Sequence, residues 1–327
     1  MNTALWLLLP ALIGCSDDPT PVGRYSHIGA VSGDGSRLFI AGGSDGPTKL
    51  VDAWSFDLSE HRWTPEAPIP QASHRAIAVG LDEDQALVYG GTSWEEEETS
   101  DVHKWNLFTG TWELSQEDAP GPRYKHAAAT DGERIWVMGG RNNDGDEPVV
   151  YDELWVRDGS GAWRSLPMDG SPGPLFRQGL AWDPQLERLW VYGGINDINE
   201  RSDALYSYAP DSETWELHTP SGDRPPVMAS HTLVWLEGRL LAWGGHSSDT
   251  QSWTFDTAEQ RWQPRDQPGP SPRDAQVSLL SPDQAVLYIV GGDNFGASGN
   301  DFLSDVWAMN TSDGSWTQLK ETGYGEP

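Results

Sequence analysis

The chain has a single cysteine, Cys15, among its 327 residues. One thiol excludes an intramolecular disulfide framework and any multi-thiolate metal site. Basic residues are scarce, 21 Lys and Arg against 50 Asp and Glu, for a formal net charge of -29. A field of that sign repels phosphate backbones and anionic head groups, which excludes nucleic acid as a partner. Long apolar runs are missing as well. Ala4 to Ile13 is a run of ten residues, too short to cross a membrane but of the length found at the centre of an export signal. The chain also carries no Gly-rich phosphate loop, nucleophile elbow or metal-binding histidine pair.

What is abundant is tryptophan, glycine and proline: 18, 36 and 24 residues. Aromatic residues suit pleated surfaces and Gly and Pro punctuate them, so the class is all-β with many short strands. Six apolar runs end in paired glycines, at Gly43, Gly91, Gly140, Gly194, Gly245 and Gly292, at intervals of 48, 49, 54, 51 and 47 residues. Each repeat also carries an apolar residue followed seven positions later by Trp: Phe56 and Trp63, Trp105 and Trp112, Val156 and Trp163, Tyr208 and Trp215, Phe255 and Trp262, Met309 and Trp316. Turn formers lie between them (Asp57, Asn106, Asp158, Asp211, Asp256, Asn310), which places each pair on the two strands of a hairpin. A period near fifty with four strand-length segments predicts a propeller blade, because one small sheet cannot bury both its faces alone.

A run ending in Gly-Gly followed by this aromatic and Trp spacing resembles the kelch repeat. The resemblance covers residues 21 to 319 and implies a six-bladed β-propeller with four antiparallel strands per blade. For the first blade the strands are predicted at Tyr25 to Val31, Arg37 to Ala41, Ala53 to Asp57 and Arg62 to Pro65, with strand a nearest the axis. The glycines are expected where the backbone turns and blades crowd together. Asp52, Asp101, Asp152, Asp203 and Asp305, with Gln251 in the fifth repeat, stand at the approach to strand c, where an Asp can bond free loop amides. The last repeat supplies its own fourth strand, so closure rests on blades 1 and 6 packing together unless the tether or the tail adds a strand.

At the other end, Leu12-Ile13-Gly14-Cys15 resembles the lipobox of bacterial lipoproteins. That resemblance implies a signal peptide over 1–14, a lipidated Cys15 and tether over 15–23, the propeller over 24–319 and a tail over 320–327. It implies a chain held at the cell envelope, outside the cytoplasm, touching the membrane through its N-terminal lipid only.

In such blades the b–c loops and the d–a connections emerge on one face. The b–c loops are acidic, whereas the d–a connections carry a basic column, Arg24, Arg123, Arg177 and Arg273, with Gln71 and Met228 in the remaining repeats. Arginine forks facing an axis suit a carboxylate or other anion; ion pairs with neighbouring loop carboxylates are the alternative. His27, His74, His126 and His231 follow three positions later and are expected to wedge between blades. The run Glu95, Glu96, Glu97, Glu98 beside Trp94 is a solvated cluster or a docking loop with an aromatic anchor for a basic partner. Residues 142–147 offer oxygen donors for calcium without a complete calcium-loop spacing; no other cofactor is expected. Among enzymes with kelch propellers, galactose oxidase needs a cysteine-linked copper site, which Cys15 cannot supply. Plant specifier proteins place iron on Glu-x3-Asp-x3-His, where this chain has Glu97, Asp101 and Trp105. Bacterial sialic-acid epimerases suggest an acidic sugar, without a motif to carry over. The expectation is a monomeric interaction module binding a protein or glycan at the envelope, with no catalytic or metal residues assigned. The alternatives are an enzyme acting on an acidic sugar at the axial pocket and a structural scaffold of an envelope complex.

Overall fold

The structure is a computed structural model that describes residues 19–71, 73–93, 97–143, 148–236, 238–245, 251–265, 267–294 and 301–322. It is an all-β, six-bladed propeller. Blade 1 comprises Ile28–Val31, Arg37–Ala41, Ala53–Asp57 and Arg62–Glu66 as one antiparallel sheet in chain order. Blades 2 to 6 occupy 77–115, 127–165, 179–218, 232–265 and 277–320 in the same order. Blade 5 gains a short parallel edge strand, Ser221–Gly222, against Arg261–Arg265. Strand a starts at Ile28 rather than Tyr25, because Tyr25 makes only an isolated bridge to Ser44.

Beyond a polar first residue in four of them (Arg37, Gln85, Arg188, Arg239), the strands that run into Gly-Gly are apolar because both their faces are buried. Side chains alternate along a strand. In blade 1, Leu38 and Ile40 pack into a cluster shared with blade 6, while Phe39 and Ala41 pack into one shared with blade 2. Six such cores lie between successive blades. The Trp spacing sets cross-strand pairs in the outer hairpin: Phe56 faces Trp63, Trp105 faces Trp112, Tyr208 faces Trp215, Phe255 faces Trp262 and Met309 faces Trp316. Blade 3 departs from this. Its hairpin is one residue shorter, so Trp163 faces Arg157, six positions before it, and Val156 faces Arg164.

Both glycines of every pair have φ between +61° and +109°, where a side chain is disfavoured. Space excludes one too: a Cβ on Gly43 would lie 2.7 Å from the Cβ of His27. The second glycine of each pair ties its blade to the next. The N–H groups of Gly43, Gly91, Gly140, Gly194, Gly245 and Gly292 donate to the carbonyls of Ser73, Arg123, Leu175, Met228, Arg273 and Arg24 at 2.8 to 2.9 Å. The last of these closes the ring from blade 6 to blade 1. Among the described residues no borrowed strand takes part in closure; Arg24 N–H also donates to the Leu303 carbonyl (2.9 Å) and Tyr25 stacks on Phe302.

Candidate functional site

The glycine bonds fix which residues are equivalent at the start of each blade: Arg24 to His27, Ser73 to Ala76, Arg123 to His126, Leu175 to Gln178, Met228 to His231 and Arg273 to Gln276. The third residue of each quartet faces the axis. Ser26, Arg75, Lys125, Arg177, Ser230 and Ala275 all have φ between +51° and +63°. Their backbones form a second closed ring, each N–H donating to the carbonyl of its counterpart in the preceding blade at 2.8 to 3.3 Å. Left-handed geometry at a non-glycine residue costs on the order of 1 kcal/mol or more. The closed ring offsets that cost and holds six side chains at fixed places around the mouth.

Half of this ring is cationic and half is small. Arg75, Lys125 and Arg177 occupy three successive blades; Ser26, Ser230 and Ala275 occupy the others. All six line an axial cavity of 290 Å³. Two aromatic rings lie beside the cations. Arg75 is 5.7 Å and Lys125 5.1 Å from the Tyr124 ring, and Lys125 is 5.8 Å and Arg141 5.1 Å from that of Phe176. Carboxylates are sparse here: Arg177 meets Asp274 at 3.9 Å, and among the described residues its Nε is buried without a hydrogen-bond partner. Burial, and then the charges of Arg177, Arg75 and Arg141, push the Lys125 pKa down to about 6 against the opposing pull of Asp274. Burial is the largest cause of that shift; the arginine charges add a positive potential, which an anion entering the mouth relieves.

The four arginines expected at the mouth do not form one column. Arg177 lines the cavity, but Arg24, Arg123 and Arg273 are buried in clamps between strands. Arg24 donates to the Asp52 carboxylate at 2.7 and 2.8 Å, to the Gly42 carbonyl and to the Val22 carbonyl. Arg123 repeats this with Glu153 (2.7 Å), Gly139 and Gly121. Arg273 does so with Asp305 (2.6 and 3.1 Å), Gly291 and Ser271. In each case an indole N–H, from Trp54, Trp155 or Trp307, completes the carboxylate's set. Of the acids expected to bond loop amides, Asp52 and Asp305 thus bind arginines, and in blade 3 the clamp acid is Glu153, not Asp152. Burial acts to raise the pKa of Asp52, but the hydrogen bonds and charge of Arg24 outweigh it and hold the carboxyl below its usual value.

His27, His126 and His231 do wedge between blades, each against the second glycine of its own blade's pair (Gly43, Gly140, Gly245) and the first glycine of the preceding blade's pair (Gly291, Gly90, Gly193). Burial pushes their pKa values down to about 3, 3 and 4. Gln178 fills the same place in blade 4 and donates to the Met138 carbonyl (2.8 Å). His74 belongs elsewhere: it stands at the Tyr25 position and meets the Tyr25 ring edge-on at 5.2 Å. Of the acidic run, Glu97 is exposed, while Glu98 is buried and its Oε1 accepts the Asn143 N–H (3.1 Å). Trp94, Glu95 and Glu96, residues 144–147 of the calcium-type stretch and Cys15 lie outside the described residues. Trp105, at the place of the specifier histidine, is fully buried and stacks on Trp112.

The sequence profile of the KLHDC2/KLHL20/DRC7 Kelch-repeats domain matches residues 12–182 and again 159–327. Kelch repeat-containing protein 2 of Saccharomyces cerevisiae is 23% identical over 57% of this chain, which spans 23% of that protein. The Rab9 effector protein with kelch motifs of Xenopus laevis is 28% identical over 57% of this chain and 52% of its own length. N-(sulfonatooxy)prop-2-enimidothioate sulfolyase of Thlaspi arvense is 25% identical over 69% of this chain and 71% of its own. Matched by that profile along nearly its whole length, and built of six blades that each turn on a glycine pair, the chain belongs to the kelch-repeat family.

Proposed function

We propose that this kelch propeller is an envelope-anchored interaction module that binds a protein partner on its loop face and seats an anionic group of that partner in the axial mouth. The observation that carries this reading is the convergence of Arg75, Lys125 and Arg177 on one half of the axial ring with Asp274 as the one carboxylate in ion-pair reach among the described residues, in a chain of net charge -29. Two guanidinium groups beside aromatic rings suit a carboxylate held in a partly dry pocket, and the bound anion would itself favour the protonated form of Lys125. The effector named among the relatives supports a protein as the partner. The apolar run before Cys15 supports export, and a diacylated Cys15 would supply the anchor. The test is capture from envelope extract with the mature chain and with an Arg75→Ala/Arg177→Ala variant. Loss of the captured protein in the variant supports the reading. Equal capture by both, at low and high salt, rules out the axial seat. Intact mass of the membrane-extracted protein checks the anchor; an unmodified Cys15 removes it.

One observation favours a second reading, an enzyme acting on an acidic sugar. Lys125 at about 6 supplies a neutral amine near neutral pH, as a general base requires. Proton exchange at the sugar's anomeric or α position, lost in Lys125→Arg, would identify it.

A further inference from the structure

Three blades build the Arg–carboxylate–Trp clamp, and blade 2 builds its acceptors without its cation. Gly90 N–H donates to the Asp101 carbonyl (3.2 Å) just as Gly42 N–H donates to that of Asp52 (3.0 Å), so Asp101 is the clamp acid of blade 2. The arginine position is Ser73, which accepts the bond from Gly43. In the complete clamps the guanidinium takes a carboxylate, the carbonyl of the first glycine and the carbonyl two residues before the arginine. The corresponding residues of blade 2, Asp101, Gly90 and Gln71, line one cavity together with Ser73 and His103. Ser73 Oγ is buried there without a hydrogen-bond partner among the described residues. Gln71 is exposed at the rim, so its side chain can swing aside.

The other blades make this arrangement informative. Where the arginine is lost in blades 4 and 5, the acid is lost with it: Leu175 goes with Ala204, and Met228 with Gln251. An uncompensated carboxylate beside a buried hydroxyl is costly, and removing both members of a charge pair avoids that cost. Blade 2 alone keeps the acid without the base. No guanidinium or ammonium group pairs with Asp101 among the described residues.

We propose that the blade 2 cavity is a docking subsite for an arginine side chain of a partner protein, whose guanidinium enters where blades 1, 3 and 6 place their own. A planar fork matches this acceptor set better than a point charge does, since two donors must meet the carboxylate while others meet carbonyls lying to either side. The acidic balance of the chain draws such a segment in. The inference adds to the reading of the propeller as an interaction module and is independent of what the axial mouth binds.

The experiment uses the mature chain with N-acetyl-arginine amide as probe and N-acetyl-citrulline amide as its neutral counterpart, read by amide chemical shifts. Saturable shifts at Gly90, Asp101 and His103 are expected with the arginine probe in the millimolar range and not with citrulline. Asp101→Asn should weaken the probe about tenfold or more while leaving the thermal midpoint nearly unchanged. Ser73→Arg should raise the midpoint and abolish binding, because the chain then fills its own clamp. The proposal is overturned by no saturable shift at these residues, by shifts that survive Asp101→Asn, or by an Asp101→Asn midpoint as low as that of Asp52→Asn. The axial reading survives each of those results, since Arg75 and Arg177 take no part in them.

Discussion

Replacing Asp305 with asparagine removes one charge from a pair in which both members are dry: the side chains of Arg273 and Asp305 are 1% and 6% exposed. Asparagine keeps one acceptor but turns an amide N–H₂ towards a guanidinium or an indole N–H, so Arg273 is left charged and poorly paired in a low-dielectric seam. Breaking a buried pair in this way costs about 3–5 kcal/mol. The same change at Asp52, 38% exposed, leaves water able to reach the site, and about 1–3 kcal/mol is expected there. Equilibrium unfolding in urea, followed by tryptophan fluorescence, measures both. The sequence supplies a control, since blade 5 replaces the pair with Met228 and Gln251. Arg273→Met/Asp305→Gln should therefore be less damaging than Asp305→Asn alone, because no buried charge is then uncompensated. An Asp305→Asn variant no less stable than Asp52→Asn, or a double variant worse than the single, would refute the desolvation argument.

The wedge histidines predict acid sensitivity. Their folded pKa values are depressed, so the unfolded chain binds more protons below about 6.5; stability is complete above that pH and falls as pH drops towards 3 to 4. Each should contribute about 2 kcal/mol of loss between pH 6.5 and 5, and His126→Gln, copying Gln178, should remove one share of that slope in urea titrations at the two pH values. Gly140→Ala places a Cβ 2.8 Å from the His126 Cβ at φ +92° and should cost about 3 kcal/mol or more. Gly80→Ala, with nothing within 4 Å, should shift the thermal midpoint by no more than about 2 °C; equal losses at both positions would contradict the crowding account. Salt should weaken capture of an acidic partner more in the wild type than in Arg75→Ala, because the exposed part of that attraction is screened; identical salt curves would place the contact elsewhere.

The blades were legible because their markers are constraints on backbone and burial that each unit must meet anew. Gly42 meets the next blade and Gly43 the start of its own blade too closely for side chains, and Phe56 and Trp63 face each other across a hairpin whose length five of the six blades share. The candidate site was less legible. Reading the strand entries as one basic column set Gln71 and Arg177 beside Arg24, whereas the backbone bonds put Ser73 and Leu175 there. The d–a connections differ in length, and a left-handed residue inside each quartet breaks the alternation by which a strand assigns faces. Aligning Arg-Tyr-Ser-His, Ser-His-Arg-Ala, Arg-Tyr-Lys-His and Leu-Phe-Arg-Gln on their second residues brings Arg75, Lys125 and Arg177 into one column. The aromatic or histidine at that place was the available signal.

The axial ring of backbone bonds has an electrostatic consequence. Six peptide dipoles run head to tail around a circle, so their vectors sum to nearly zero, unlike those of a helix, which add along one direction. The scaffold therefore projects little field of its own along the channel, and the sign and strength of the potential at the mouth are set by six side chains whose backbones are already satisfied. Substitutions there can rewrite what the opening attracts while leaving the closure of the ring intact.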